Sequence, residues 1–357
     1  MNYKKFRLSD VAQGAEVSLS TASRYFNGAK VRPSSAEKIQ RYLEQHQETC
    51  RPVPAQPPPP LIGDRVVGLI LPELSNFFFT TMASGILDAA NEMGFTILVA
   101  QAQRDPEKER QLLRDFARQN LAGLIYTPVA LLRRRAPDEV GLFEGRPIVI
   151  ANRRNILPGR VHVYSDNIRA GYLATRHLLS RGRTNIGFIM GTWNVPFDSE
   201  KVYQLAKDSQ EFGGFTSVDR FRGYLMALEE YGIPFSPSLL SVTSFDTEGG
   251  ARSAAELIGK TPYLDGLIAT SDLLAAAAQY TLQRRGYSVP RDVSIVGWND
   301  SELAAFLTPS LTSVVNQTYE IGFSALSALN RQLQGETVQD IIFDATLAIR
   351  DSTAIKR

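Results

Sequence analysis

The sequence predicts a small all-α headpiece of the helix-turn-helix kind joined to a two-lobed α/β domain with parallel sheets. Three observations support this. Residues 8–28, LSDVAQGAEVSLSTASRYFNG, read as two short helices around a tight turn. Residues 51–65, RPVPAQPPPPLIGDR, interrupt the chain with proline. From Val66 onward, short apolar strands alternate with amphipathic helices in two successive runs.

In the first stretch, Leu8, Val11, Ala12 and Ala15 share one helical face, and Val17 fills the corner. Ser18 is a good N-cap for a second helix that turns Ala22, Tyr25 and Phe26 inward. The outward residues are Leu19, Ser20, Thr21, Ser23 and Arg24, short or polar with one long cation. Such a surface fits a DNA major groove, with Ser and Arg reading base edges and Leu meeting a thymine methyl. Pro33 opens a third helix whose inner face is Ala36, Ile39, Tyr42 and Leu43. Residues 1–51 hold nine Lys/Arg against five Asp/Glu, so of the net +2 the head carries +4 and the remainder −2. A basic head on a slightly acidic body fits nucleic-acid contact at the head alone. The proline run favours polyproline II, an extended spacer without internal hydrogen bonds.

The body begins with strand VVGLILP, a helix over 78–93, strand TILVAQ, a helix over 106–119, and strands AGLIYTP and RPIVIAN. The rhythm then restarts with HVYSD and a helix over 170–181. It continues through NIGFIMG, a helix over 220–231, LLSVTSF, a helix over 250–258, GLIAT, a helix over 273–285, and VSIVGW. Ligands bind parallel sheets at the carboxyl ends of their strands, and a cleft between two lobes collects both sets of loops.

Other chemistry is sparse. Cys50 is the one cysteine, and His46, His162 and His177 are widely separated, so neither a disulfide framework nor a metal or triad spacing is expected. No P-loop, dinucleotide fingerprint or nucleophile elbow occurs, so the expectation is no enzyme, no cofactor and no metal. With no signal-like start and no run of roughly 20 apolar residues, a cytoplasmic protein without membrane contact is expected.

These motifs resemble the LacI/GalR family of bacterial transcription repressors. In the head, Asp10, Val11, Ala12, Val17, Ser18, Thr21, Ser23, Arg24, Asn27 and Gly28 match its D-V-A…V-S-x-x-T-x-S-R-x-x-N-G pattern. In the body, the matches are VVGLILP followed by ELSNFFF, AGLIYTP, SDN at 165–167, RFRG at 220–223, SIVGWND at 294–300, LTSVVNQ at 311–317, and the closing Arg350-Asp351-Ser352-Thr353. The resemblance implies a headpiece over 1–50, a linker over 51–64, and a type I periplasmic-binding-protein-like sensor over 65–357. Lobe one would take 65–163 and 318–335, and lobe two 164–317 and 336–357. It implies a homodimer on a near-palindromic operator, with half-sites about 34 Å apart. The tetramer-forming tail of some relatives is not expected, since the sequence ends shortly after Thr353.

The family's base-reading positions fall on Leu19, Ser20 and Arg24, while Ser18, Thr21, Ser23 and Asn27 suit phosphate or sugar contact or helix capping. Its effector positions fall on Phe78, Phe79, Thr127, Arg169, Arg220, Phe245, Ser271, Asp272 and Asn299, with Trp298 alongside. Aromatic faces, Arg, Asn and Ser together suit a polyhydroxylated ligand. Asn299 stands where an Asp is frequent and Arg169 where an acid is frequent, which favours an anionic sugar derivative unless Arg169 lies on the helix surface.

The sequence departs from the family in three places in the head and linker. Glu16 replaces the usual turn Gly, at a cost of about 1 kcal/mol if left-handed, with Gly14 able to share the strain. Arg7 replaces the usual capping Thr or Ser. Pro57–Pro60 occupies the family's hinge helix, with Pro59 at its groove-wedging position, a helix penalty on the order of 9 kcal/mol. Residues 55–61 are therefore predicted to be non-helical. The segment 192–219 is also longer than usual and reads either as a lid or added pocket wall near Arg220 or as a surface excursion.

The functional expectation is a ligand-responsive, sequence-specific repressor of carbohydrate uptake or catabolism genes, released from DNA by a sugar or sugar-acid effector. The alternative is a stand-alone periplasmic-type sugar-binding protein without DNA activity.

Overall fold

The computed structural model describes residues 8–26, 31–45, 65–129, 138–154, 156–192, 198–207 and 215–356. The chain divides into two compact units, residues 1–61 and 62–357. The linker reading and Asn27 fall outside the described residues, as do Arg7 and the inward side chains predicted for Leu8 and Phe26.

The first unit holds α1 (Leu8–Gly14), α2 (Leu19–Phe26) and α3 (Pro33–Gln45). Val11, Ala15 and Ile39 form its core, with Val17, Tyr25, Tyr42 and Leu43 packed around them. Glu16 takes the left-handed turn position at φ 53°, and Val17 N–H closes the turn on the Ala12 carbonyl at 2.9 Å. Gly14 does not share that strain. It is needed for closeness instead, since an added Cβ would lie 2.0 Å from the Tyr42 ring.

The second unit contains two six-stranded sheets. The first sheet holds β1 (Val66–Leu71), β2 (Thr96–Gln101), β3 (Gly123–Tyr126), β4 (Ile148–Ala151), β5 (Val161–Ser165) and β11 (Ile341–Phe343). Its order is β11-β5-β4-β3-β1-β2, parallel throughout. The second holds β6 (Ile186–Thr192), β7 (Leu240–Ser244), β8 (Gly266–Ala269), β9 (Ser294–Trp298), β10 (Thr312–Val315) and β12 (Thr346–Ala348). Its order is β12-β10-β9-β8-β6-β7, with β12 alone antiparallel. Strands β1, β3, β4, β6, β8 and β9 are buried along their whole length, because helices cover both faces of a parallel sheet.

Two boundaries differ from the sequence reading. HVYSD forms β5, which belongs to the first sheet and does not open the second. Residues 336–357 do not lie wholly in lobe two, since Ile341 and Phe343 pair in register with Val163 and Ser165 before the chain crosses to β12. Edge strands of three residues, half exposed, carry too short a pattern to be read by alternation. The chain therefore crosses between lobes after β5, after β10 and after β11. The long segment 192–219 contains α7 (Ser199–Lys207), which buries Val202, Leu205 and Ala206 in the lobe-two core. That part is neither a lid nor a surface excursion, and Trp193 and Phe197 lie outside the described residues.

Each lobe crosses two helices at backbone contact. In lobe two, α6 (Asn167–Leu179) and α8 (Thr216–Glu230) meet through Gly171 and Gly223. A Cβ on Gly171 would lie 1.9 Å from the Arg220 carbonyl oxygen, and one on Gly223 2.0 Å from that of Ile168. In lobe one, α4 (Phe77–Met93) and α12 (Thr318–Leu333) meet the same way through Gly85 and Gly322. Since backbone cannot rotate aside as a side chain can, Gly171→Ala or Gly223→Ala should cost about 3 kcal/mol or more. Urea unfolding of the variants checks this, and a loss below about 1 kcal/mol would show that the helices separate freely.

Both described histidines are packed. His162 Nε2 accepts from the Ile156 and Leu157 N–H groups, and His177 Nε2 lies 2.9 Å from Thr353 Oγ1. Burial, with Arg181 nearby, pushes the His177 pKa down to about 4. The unfolded chain then binds the proton more tightly, so this contribution is present above the ordinary value near 6.5 and is lost as pH falls through the folded one. A loss on the order of 2–3 kcal/mol across that window is expected, and the pH slope should flatten in His177→Gln.

Candidate functional site

The carboxyl ends of both sheets converge on one cleft. From lobe one come Asn76, Phe78 and Phe79 after β1, and Asn152 and Arg153 after β4. From lobe two come Phe215, Thr216, Ser217 and Arg220 at the start of α8, Phe245 after β7, Thr270 and Ser271 after β8, and Asn299 after β9. An outer part of the cleft adds Phe77, Arg104, Asp272, Leu273, Trp298 and Leu303. In each sheet the strand order reverses at β1 or β6, and helices starting there open toward the cleft.

Local sequence explains the rims. Asn76 caps α4 by accepting from Phe78 N–H. Ser271 caps α10 (Asp272–Arg284) by accepting from Leu274 N–H. Asn152 and Asn299 occupy equivalent places after β4 and β9, at φ 58° and 95°. Asn tolerates the left-handed region better than most residues, and strained backbone of this kind gathers at functional sites.

Arg220 is the centre of the lobe-two wall. Its guanidinium lies 4.5 Å from the Trp298 ring centroid. Nε donates to Asn167 Oδ1 at 2.8 Å and Nη1 to the Thr270 carbonyl at 2.7 Å. Burial, then repulsion from Arg153, lowers its pKa to about 9, and burial lowers that of Arg153 to about 10. Next to them Arg154, from lobe one, grips both oxygens of Asp219 in α8 at 2.7 Å each. Asp219 also receives Arg222 at 2.8 Å. This bridge joins the lobes beside the cleft.

Of the sequence-predicted effector residues, Phe78, Phe79, Arg220, Phe245, Ser271 and Asn299 line the cleft, and Asp272 and Trp298 its outer part. Asp272 accepts from Ser301 and Ser313 and so holds the turn after Asn299. Thr127 does not line the cleft. It is fully buried, and its Oγ1 ties the β3 end to the Ala151 carbonyl at 3.1 Å. Arg169 does not either. The buried face of α6 is Asn167, Ala170, Gly171 and Ala174, so Arg169 points outward, 59% exposed, near Asp344. Sequence reasoning missed Asn76, Asn152, Arg153, Phe215, Thr216, Ser217 and Thr270. Asn152-Arg153 could have been found, because it directly follows the apolar run of β4 at the end where ligands bind.

In the headpiece, Leu19 is 55% exposed and Ser20 and Arg24 are exposed, while Thr21 and Ser23 are half-buried. Ser18 Oγ accepts from Thr21 N–H at 3.1 Å and bonds the Ser20 and Thr21 hydroxyls, so its first task is to cap α2. No group of three or more metal-binding side chains occurs among the described residues.

Residues 175–353, half of the chain, match the family model of the periplasmic binding protein-like domain. The HTH-type transcriptional regulator DegA of Bacillus subtilis is 28% identical over 98% of both chains. The structure of a CelR–cellobiose complex aligns at TM-score 0.67 and 26% identity over 98% of this chain and all of that one. The chain belongs to the LacI/GalR family of transcriptional regulators. Another member, a LacI family regulator of Enterococcus faecium with bound ribose, aligns at TM-score 0.66 and 26% identity, covering 82% of this chain and 100% of its own. Among the described residues of this LacI/GalR regulator, no helix is long and apolar enough to cross a membrane.

The interlobe bridge gives a direct test. Arg154→Ala leaves Asp219 with Arg222 alone and should remove about 1.5–3 kcal/mol from the bridged arrangement. Small-angle scattering of the unliganded variant should show a larger radius of gyration than the parent, and identical profiles would exclude this role.

Proposed function

We propose that the chain is an effector-responsive repressor that binds a near-palindromic operator as a homodimer and is released by a small sugar-like ligand in the interlobe cleft. One observation carries the reading. A three-helix headpiece with Leu19, Ser20 and Arg24 on its open face stands in the same chain as a two-lobed cleft centred on Arg220. The family likeness to DegA and CelR runs through both parts. A stand-alone binding protein would have no use for the headpiece.

Arg24 suits guanine O6 and N7, Leu19 a thymine methyl and Ser20 a base edge. Thr21, Ser23 and Asn27 suit phosphate, which positions without specifying. Ser18 contributes through its cap. The cleft offers Phe78, Phe79 and Phe245 for the C–H faces of a sugar, with Asn152, Ser217 and Asn299 for its hydroxyls. Self-association is supported by exposed apolar residues on edge strand β2, Leu98 and Val99, and by Leu87 on α4. A regulator of this kind works in the cytoplasm without membrane or metal. Ligand acts by binding one lobe arrangement better than another, and the difference in affinity sets how far the DNA-competent population shifts.

Gel shifts on the DNA upstream of the protein's own gene test this. A specific complex should form and weaken with salt. Arg24→Ala should lose about 1–3 kcal/mol of operator discrimination while keeping weak, salt-sensitive binding. Retained specificity in Arg24→Ala would mean that α2 does not read the bases.

A further inference from the structure

We infer that the effector carries an anionic group, a carboxylate or phosphate, held between Arg153 and Arg220 in the interlobe cleft. This deepens the effector reading above and rests on it.

The two guanidinium groups come from opposite lobes, are 4% and 5% exposed, and line the same cleft. Neither is bonded to a carboxylate among the described residues. Arg153 donates to the Asn152 carbonyl at 3.0 Å and the Pro128 carbonyl at 3.4 Å. Arg220 donates to Asn167 Oδ1 and the Thr270 carbonyl. Arg153 Nε and Arg220 Nη2 make no hydrogen bond with the described residues. The nearest acids are committed elsewhere. Glu109 accepts from Val129 N–H at 2.6 Å. Asp219 is shared by Arg154 and Arg222, and Asp272 accepts from Ser301 and Ser313.

A buried cation with only neutral partners is costly, and two that repel each other more so. Burial lowers the pKa of both arginines, and at Arg220 repulsion from Arg153 adds to it, against partial attraction from Glu109, Asp219 and Asp272. An anion entering between them supplies the missing charge and accepts charge-assisted bonds from both planar forks. A neutral sugar satisfies donors but leaves the repulsion in place. In the sequence, the case for an anionic ligand rests on Asn299 and Arg169 together. Arg169 faces solvent, and Arg153 replaces it as the second cation.

The test is calorimetric titration of the full chain at constant ionic strength. The probes are D-glucuronate, D-galacturonate, D-glucose 6-phosphate, inorganic phosphate, D-glucose and D-galactose. At least one anionic probe should bind, and the tightest should show whether carboxylate or phosphate is preferred. Arg153→Gln and Arg220→Gln should each weaken it about tenfold or more, equivalent to roughly 1.4 kcal/mol. Arg169→Gln should leave it unchanged. Inorganic phosphate should raise the thermal midpoint of the parent more than chloride does, a readout that needs no variant. Binding of a neutral sugar with an affinity unaltered by Arg153→Gln overturns the proposal, as does the absence of binding by every anionic probe. Operator gel shifts without ligand report on the regulator reading separately, so its failure would be seen independently.

Discussion

The body is organised around one buried cation. Arg220 rests on Trp298, donates to Asn167 and to the Thr270 carbonyl, and so ties together α8, α6 and the ends of β8 and β9. A guanidinium nearly out of water demands this many partners, because desolvating its charge costs more than any single contact returns. Its position depends in turn on Gly171 and Gly223, which let α8 lie against α6 at backbone distance. Small residues at a helix crossing thereby set the height of the arginine over the cleft floor.

The same economy appears in lobe one, where Gly85 and Gly322 bring α4 against α12. Equivalent asparagines, Asn152 and Asn299, hold left-handed backbone at the matching strand ends. The lobes share a plan, and each brings one buried arginine to the cleft, Arg153 and Arg220. The Arg154–Asp219 bridge links the lobes at the edge of the pocket, so a ligand arriving beside it meets both the packing and the electrostatics that fix lobe separation. Interfaces of this kind move between discrete arrangements because packed cores do not deform continuously. That gives the three interlobe crossings a route to convert ligand binding into a changed body geometry.

The headpiece differs in kind. Its core is three fully engaged residues, Val11, Ala15 and Ile39, with a ring of half-buried neighbours. So small a unit buries little apolar area. Its left-handed Glu16 adds strain that a glycine would avoid.

Much of this was legible in the residues. Periodicity placed the three head helices and the main strands, and their alternation with helices implied parallel sheets, since parallel strands need crossover connections; the order of the strands came from the structure. Six of the effector positions implied by the family resemblance line the cleft; five of them stand on loops or helix starts just after strand ends, while Arg220 reaches it from α8. The sequence could not show which way a helical residue faces when both of its faces look mixed, so it left Arg169 open between pocket and helix surface. It could not assign three-residue edge strands such as β11, whose pairing with β5 is made across some 180 residues of chain. Nor could it show that Arg153 and Arg220 share one space. Local pattern determined the elements and the family. The meeting of two buried arginines from opposite lobes is a long-range fact, decided only when both sheets close on the same cleft.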